Sequence, residues 1–146
     1  MHAGLPRFAG SEQHALDDKG RLIVPARFRE RLGSQFVLTI AHPDPCLALY
    51  PSATWVEICG RLESVPQKDE PYRRFVRYLF ANSEEVGCDN QGRVVVPARL
   101  REYAGIERQV VSVGLLTRVE IWAKERYAFQ QPPEGEVAGF MADLGL

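Results

Sequence analysis

No run in this chain approaches the roughly 18 consecutive apolar residues that a membrane-crossing helix requires. The opening MHAGLPRFAG also lacks the basic start and apolar core of a secretory leader, so the expectation is a cytoplasmic protein with no membrane partner. Cysteine is scarce and odd in number: Cys46, Cys59 and Cys88 lie 13 and 29 residues apart, which fits neither a CxxC redox pair nor a zinc knuckle. Buried free thiols are expected. The three histidines, His2, His14 and His42, form no HxxxH-like pair, so neither a metal site nor any cofactor is expected.

An excess of one charge is missing as well. Eighteen Lys+Arg against nineteen Asp+Glu argue against a protein that coats nucleic acid indiscriminately, so any basic face has to be local. Only the end is one-sided, residues 132–146 carrying three acids and no base. Catalytic signatures are absent too: there is no GxSxG elbow, no glycine-rich phosphate loop and no Cys–His setting, and neither an enzyme nor a small-molecule substrate is expected. Asp89 to Gly92 resembles the start of a calcium loop, but its glycine stands at position four and Leu100 occupies position twelve, where a bidentate carboxylate is needed; Phe28 spoils the earlier copy in the same way.

What the chain does contain is an internal repeat. DDKGRLIVPARFRERLG (17–33) and DNQGRVVVPARLREYAG (89–105) align without a gap at an offset of 72, with ten of seventeen positions identical. The same offset pairs Leu47 with Val119, Leu49 with Ile121, Tyr50 with Trp122 and Trp55 with Tyr127, so two homologous units are present.

Each unit can be read physically. Asp17 or Asp89, two polar residues and a glycine make a tight turn, read as the tip of a hairpin. Leu22, Ile23 and Val24, or Val94 to Val96, form a short β-branched strand that suits burial on both faces. Pro25 or Pro97 then opens a short helix that Gly33 or Gly105 ends. Phe28 and Leu32, or Leu100 and Ala104, are four apart and face inward, while Arg27 and Arg29 point elsewhere. FVLTI (36–40) and CLALY (46–50), then QVVSV (109–113) and VEIW (119–122), are the following strands. Between the units, 54–65 and 70–82 read as two helices separated by a turn at Pro66, Gln67 and Lys68. The proposed organisation is a first unit at 8–52, a helical linker at 53–82, a second unit at 83–130 and a loose tail at 131–146 with at most a short final turn.

The pattern D-x-x-G-R, three aliphatics, proline and a short arginine-bearing helix resembles the swapped-hairpin fold of AbrB-like regulators. Two tandem copies, carried by HALDDKGRLIVPARFRE (14–30), CLALYP (46–51) with Trp55, and CDNQGRVVVPARLREYAG (88–105) with EIW (120–122), resemble the MraZ family. The resemblance covers Phe8 to Trp122. It implies a mainly β fold with short helices (α+β), two pseudo-symmetric swapped-hairpin or double-split β-barrel halves joined by a two-helix linker. It also implies a nucleoid-associated transcriptional regulator, a repressor or modulator of a bacterial division and cell-wall gene cluster, that binds promoter repeats in double-stranded DNA as a ring-like homo-oligomer. Where the family commonly starts Phe-Arg-Gly, this chain has Phe8-Ala9-Gly10, leaving Arg7 as a partial replacement.

DNA binding requires cations for phosphates and a planar donor for base edges, and arginine serves both. Lys19, Arg21, Arg27 and Arg29 are expected to form one basic ridge in the first unit, and Arg93, Arg99 and Arg101 its counterpart, with Gln91 replacing the lysine. The first unit is therefore the expected reader. The alternative for Arg21 and Arg93 is a brace to Asp17 and Asp89, and for Arg27 a pair with Glu30. Arg73, Arg74 and Arg77 read as a solvated helix face rather than a second patch. A scaffold or antitoxin-like interaction protein that does not read DNA is the alternative function.

Overall fold

The computed structural model describes residues 4–66 and 69–146; Gln67 and Lys68, on which the expected inter-helix turn falls, and His2 lie outside them. The chain runs β1 (Ser11–Ala15), β2 (Arg21–Ile23), α1 (Ala26–Leu32), β3 (Phe36–Ala41), β4 (Cys46–Pro51), α2 (Ser52–Ser64) and α3 (Glu70–Ala81). The second half follows as β5 (Glu84–Val86), β6 (Arg93–Val95), α4 (Ala98–Ala104), β7 (Gln109–Leu115), β8 (Arg118–Ala123), α5 (Lys124–Ala128) and α6 (Glu134–Asp143). This is an α+β fold. Its strands form an antiparallel six-stranded sheet in the order β1-β7-β8-β4-β3-β5 and a two-stranded ribbon, β2-β6.

The order reads the same from either edge once the two units are interchanged, and the register locates the pseudo-twofold axis. Leu22 pairs with Val94 in the ribbon and Ala48 with Glu120 in the large sheet, each residue facing its own repeat equivalent. The first strand of each unit is exchanged: β1 joins β7, and β5 joins β3. The constant sequence offset hides a compensated shift, because Leu38 pairs with Leu49 where Ser112 pairs with Ile121, placing β7 two residues later than the repeat would have it. The lost register is recovered by the hairpins, residues 42–45 joining β3 to β4 but only 116–117 joining β7 to β8.

The exchange gives the two units one core. Leu22, Val24, Phe28 and Leu32 of the first unit cluster with Val94, Val96, Leu100 and Ala104 of the second, and with Leu47, Leu49, Val119 and Ile121 from the sheet. Pro25 and Pro97 stand at the helix starts with φ of −52° and −58°, where a missing N–H costs nothing. On the other face of the sheet, Tyr50, Trp55 and Phe80 stack in series with centroids 5.8 and 5.6 Å apart, holding α2 and the end of α3 against β4.

Several expectations need correction. The ribbon strands are buried on one face only: Ile23 is 53% and Val95 58% exposed, because a two-stranded ribbon has a single layer beneath it. The Asp–Gly turn is not a hairpin tip. It joins β1 in the large sheet to β2 in the ribbon, two strands that pair with different partners. The three thiols are free, but only Cys46 is buried while Cys59 and Cys88 are half-buried. Burial, with Glu120 nearby, pushes the Cys46 thiol up to about 12, which removes its thiolate at neutral pH. The tail holds a helix of ten residues rather than a short turn, though all its residues are exposed. No described helix is long and apolar enough to cross a membrane.

Because the core draws on both units, chemical denaturation is expected to show a single transition common to fluorescence and circular dichroism. Leu22→Ala, at the fully buried axis pair, should lower the unfolding free energy by about 2–5 kcal/mol; two separable transitions would contradict a shared core.

Candidate nucleic-acid interface

The two turns are near-identical constructions. Asp17 Oδ1 accepts hydrogen bonds from the backbone N–H of Lys19 and of Arg21, each at 2.9 Å, and Oδ2 accepts from Arg21 Nε at 2.6 Å. Asp89 does the same for Gln91, Arg93 and Arg93 Nε, at 2.9, 2.9 and 2.8 Å. The backbone closes each turn, Gly20 N–H donating to Asp17 O and Gly92 N–H to Asp89 O. Gly20 and Gly92 hold φ of +73° and +78°, the left-handed region that a side chain strains to adopt. Three charge-assisted bonds on each carboxylate, the backbone bond from Arg21 or Arg93 foremost, hold both acids below the ordinary carboxylate range.

This bracing consumes one nitrogen of each guanidinium. Among the described residues, the terminal nitrogens of Arg21 and Arg93 have no partner, and the guanidinium planes are locked by their Nε bonds. A brace and a recognition group are therefore compatible in one side chain. The ribbon then brings the two arginines together. Arg21 pairs with Val95 and Ile23 with Arg93, while Leu22 and Val94 point into the core, so Arg21, Ile23, Arg93 and Val95 share the outer face. Lys19 is exposed on the adjoining turn.

The remaining arginines do not make a ridge within each unit. Arg29 donates to Val24 O at 3.1 Å and lies over Gly92, the turn glycine of the other unit; Arg101 lies over Gly20, where an added Cβ would come within 2.5 Å of its Nη1. The second and first turns thus each carry an arginine from the opposite helix. Arg27 turns away instead, donating to Ser11 O at 2.8 Å and stacking over the Phe28 ring rather than pairing with Glu30. There it lines, with Arg7, Phe8 and Arg31, an open depression of about 390 Å³. Arg99, its equivalent, is neutralised by Glu84 at 2.7 Å. One cationic ribbon shared by both units replaces two separate ridges. The register that creates it joins residues about 70 positions apart, which no local spacing signals. The exposed Ile23 and Val95 belong to the same face.

A family model described as "MraZ protein, putative antitoxin-like" matches this chain twice, over residues 7–78 and 79–133. Transcriptional regulator MraZ of Syntrophomonas wolfei is 44% identical over 143 residues, covering 95% of this chain and 99% of that protein. The protein of the same name from Moorella thermoacetica is 48% identical over 120 residues, 82% of this chain and 83% of its own length. The Clostridium beijerinckii protein of that name is 44% identical over 142 residues, 95% and 99% respectively.

The depressed carboxyls carry a sign. A group whose folded pKa is lowered stabilises the fold fully above its unfolded value, about 3.9 for Asp, and loses that contribution as pH falls through the lower folded value. Carbon-detected NMR titration should therefore give midpoints below about 3.9 for Asp17 and Asp89. Midpoints at or above that value would mean that the turn bonds are absent in solution.

Proposed function

The chain belongs to the MraZ family, and from that premise we propose that it is a DNA-binding transcriptional regulator whose reading element is the β2–β6 ribbon. The observation that carries the proposal is the pair Arg21 and Arg93, braced through Nε with both terminal nitrogens free, on one exposed ribbon face. A two-stranded ribbon fits a major groove about 12 Å wide, and a fixed guanidinium is the donor best matched to the O6 and N7 edge of guanine. Ile23 and Val95, opposite the arginines, offer branched apolar surface suited to thymine methyls.

In this reading Lys19, exposed beside Arg21, contacts phosphate. Arg29 and Arg101 support the turns of the opposite units and add positive charge behind them, while Arg27, over the Phe28 ring, and Arg99, its charge offset by Glu84, are the outlying phosphate contacts. The first unit, 8–52, is then the more cationic reader, and the second, 83–130, completes the ribbon across the 53–82 linker. One ribbon this small binds weakly. We take the chain to assemble into a ring-like homo-oligomer whose ribbons engage promoter repeats together, affinity coming from effective concentration. Repression of a division and cell-wall gene cluster, at the nucleoid, is the matching role. The family is one of regulators, and the chain is not an enzyme. A scaffold or antitoxin-like protein that does not read DNA remains the second reading, favoured by the Arg21–Asp17 ion pair if bracing is the arginine's sole role.

The test is binding to the DNA upstream of the chain's own gene cluster against salt, for the unaltered protein, Arg21→Ala and Arg93→Ala. Steep salt dependence is expected, with each substitution costing about 1–3 kcal/mol and relaxing base preference while the fold persists. No preference over random DNA, or unchanged binding by both variants, would move the scaffold reading ahead.

A further inference from the structure

As far as its arginines go, the ribbon reads the same from either end. Exchanging the two units carries Arg21 onto Arg93, each held through Nε by its own aspartate at 2.6 and 2.8 Å, and carries Ile23 onto Val95. The arginines stand two register pairs apart, about 7 Å along the strands, which spans roughly two base pairs. A pair so matched cannot distinguish one end of a DNA site from the other.

The ends of the ribbon are where the units differ. Each end carries one Asp–Gly turn, because Val96 N–H donates to Gly20 O at one end and Val24 N–H to Gly92 O at the other. Lys19 and Gln91 hold equivalent places on those turns, their backbone N–H groups each donating to the turn aspartate at 2.9 Å. Both are exposed, and among the described residues neither side chain has a partner. The other outer differences carry less. Ile23 exceeds Val95 by one methylene, Asp18 is engaged by Arg108 at 3.0 Å, and its equivalent Asn90 stands one place further from the ribbon than Gln91. Behind the turns, Arg101 over Gly20 and Arg29 over Gly92 match at the two ends.

The chemistries at those two places are not interchangeable. A lysine ammonium has three donors and no acceptor, so it suits phosphate oxygens and cannot accept from the amino group of adenine. A glutamine amide has both, and its carbonyl and NH2 match the N6 and N7 edge of adenine in the major groove. We propose that Gln91 and Lys19 give the ribbon its direction on DNA, Gln91 reading an adenine at one end of the site while Lys19 holds phosphate at the other. The inference rests on the ribbon reading proposed above and adds a base and an orientation to it.

The experiment selects bound sequences from a pool of random duplex DNA with the full chain, unaltered and as Lys19→Gln, Gln91→Lys and Asn90→Asp. All three positions are exposed turn residues, and circular dichroism checks that each variant keeps the fold. The expected result is adenine on one flank of the arginine-read bases for the unaltered chain, on both flanks for Lys19→Gln and on neither for Gln91→Lys, with Asn90→Asp unchanged. Replacing the selected adenine pair by a G·C pair should weaken binding of the unaltered chain about tenfold, a difference that Gln91→Lys abolishes or reverses. Lys19→Gln should also lower the salt slope by about one. Adenine that follows Asn90, stays one-sided in Lys19→Gln or persists in Gln91→Lys would overturn the proposal, as would a symmetric preference in the unaltered chain. A pool that enriches nothing would overturn the ribbon reading together with it. Guanines lost in Arg21→Ala and Arg93→Ala, beside flanks indifferent to positions 19 and 91, would remove the direction alone.

Discussion

Two hydrogen bonds at the ends of the ribbon tie the halves of this protein together. Val24 N–H donates to Gly92 O at 2.9 Å, and Val96 N–H donates to Gly20 O at 3.0 Å, so the strand of each unit finishes on the turn of the other. That clasp is possible only because the turn glycines hold a left-handed backbone and leave room for Arg101 and Arg29 to cross above them. From it follow the pairing of Leu22 with Val94, the core that both units share, and the placing of Arg21 and Arg93 on one surface. The same backbone positions that hold the fold together therefore set where these charges lie, so the fold and the placing of its cations are not independent properties here.

The pseudo-symmetry is kept in the backbone and relaxed in the side chains. Helices α1 and α4 start after equivalent prolines and bury equivalent residues, yet Arg31 has become Tyr103, whose hydroxyl donates to Ala41 O at 2.6 Å. Among the described residues Arg27 makes no ion pair, whereas Arg99 pairs with Glu84. At the axis in the large sheet, Ala48 faces Glu120, a nearly buried carboxylate held by Arg118 at 2.8 Å and by Trp122 Nε1 at 3.0 Å. A buried charge so completely partnered is tolerated because its lone pairs are spoken for. The two units thus differ in which cations meet a carboxylate: Arg99 pairs with Glu84 and Arg118 with Glu120, while Arg27 and Arg29 donate to the backbone carbonyls of Ser11 and Val24.

How far the residues could be read depends on how far apart the interacting groups lie. The strands at 36–40, 46–50, 109–113 and 119–122, the helices after Pro25 and Pro97, and the inward Phe28, Leu32, Leu100 and Ala104 followed from alternation and helical spacing. All of those signals span a few residues. The Asp17–Arg21 contact belongs to the same class, lying within one turn. Nothing local says that Arg29 crosses to Gly92 while Arg27 turns back to Ser11, so the relative placing of Lys19, Arg21, Arg27 and Arg29 is not legible from their spacing. The exposure of Ile23 and Val95 is hidden for a related reason: β-branched composition reports a strand but not how many of its faces are covered.

The sequence by itself determined the duplication, the turn chemistry, the element types and the family, because each is encoded in residue identity and short spacing. Tertiary structure alone decided that β1 and β5 change places, that two turns build one ribbon, and which arginines keep free nitrogens. Those outcomes rest on hydrogen bonds and packing between residues about 70 to 100 positions apart, such as Leu22 with Val94 and His14 with Ser112. The chain-closure entropy of such contacts is offset only when the whole core forms, so no local stretch of sequence can carry their signature.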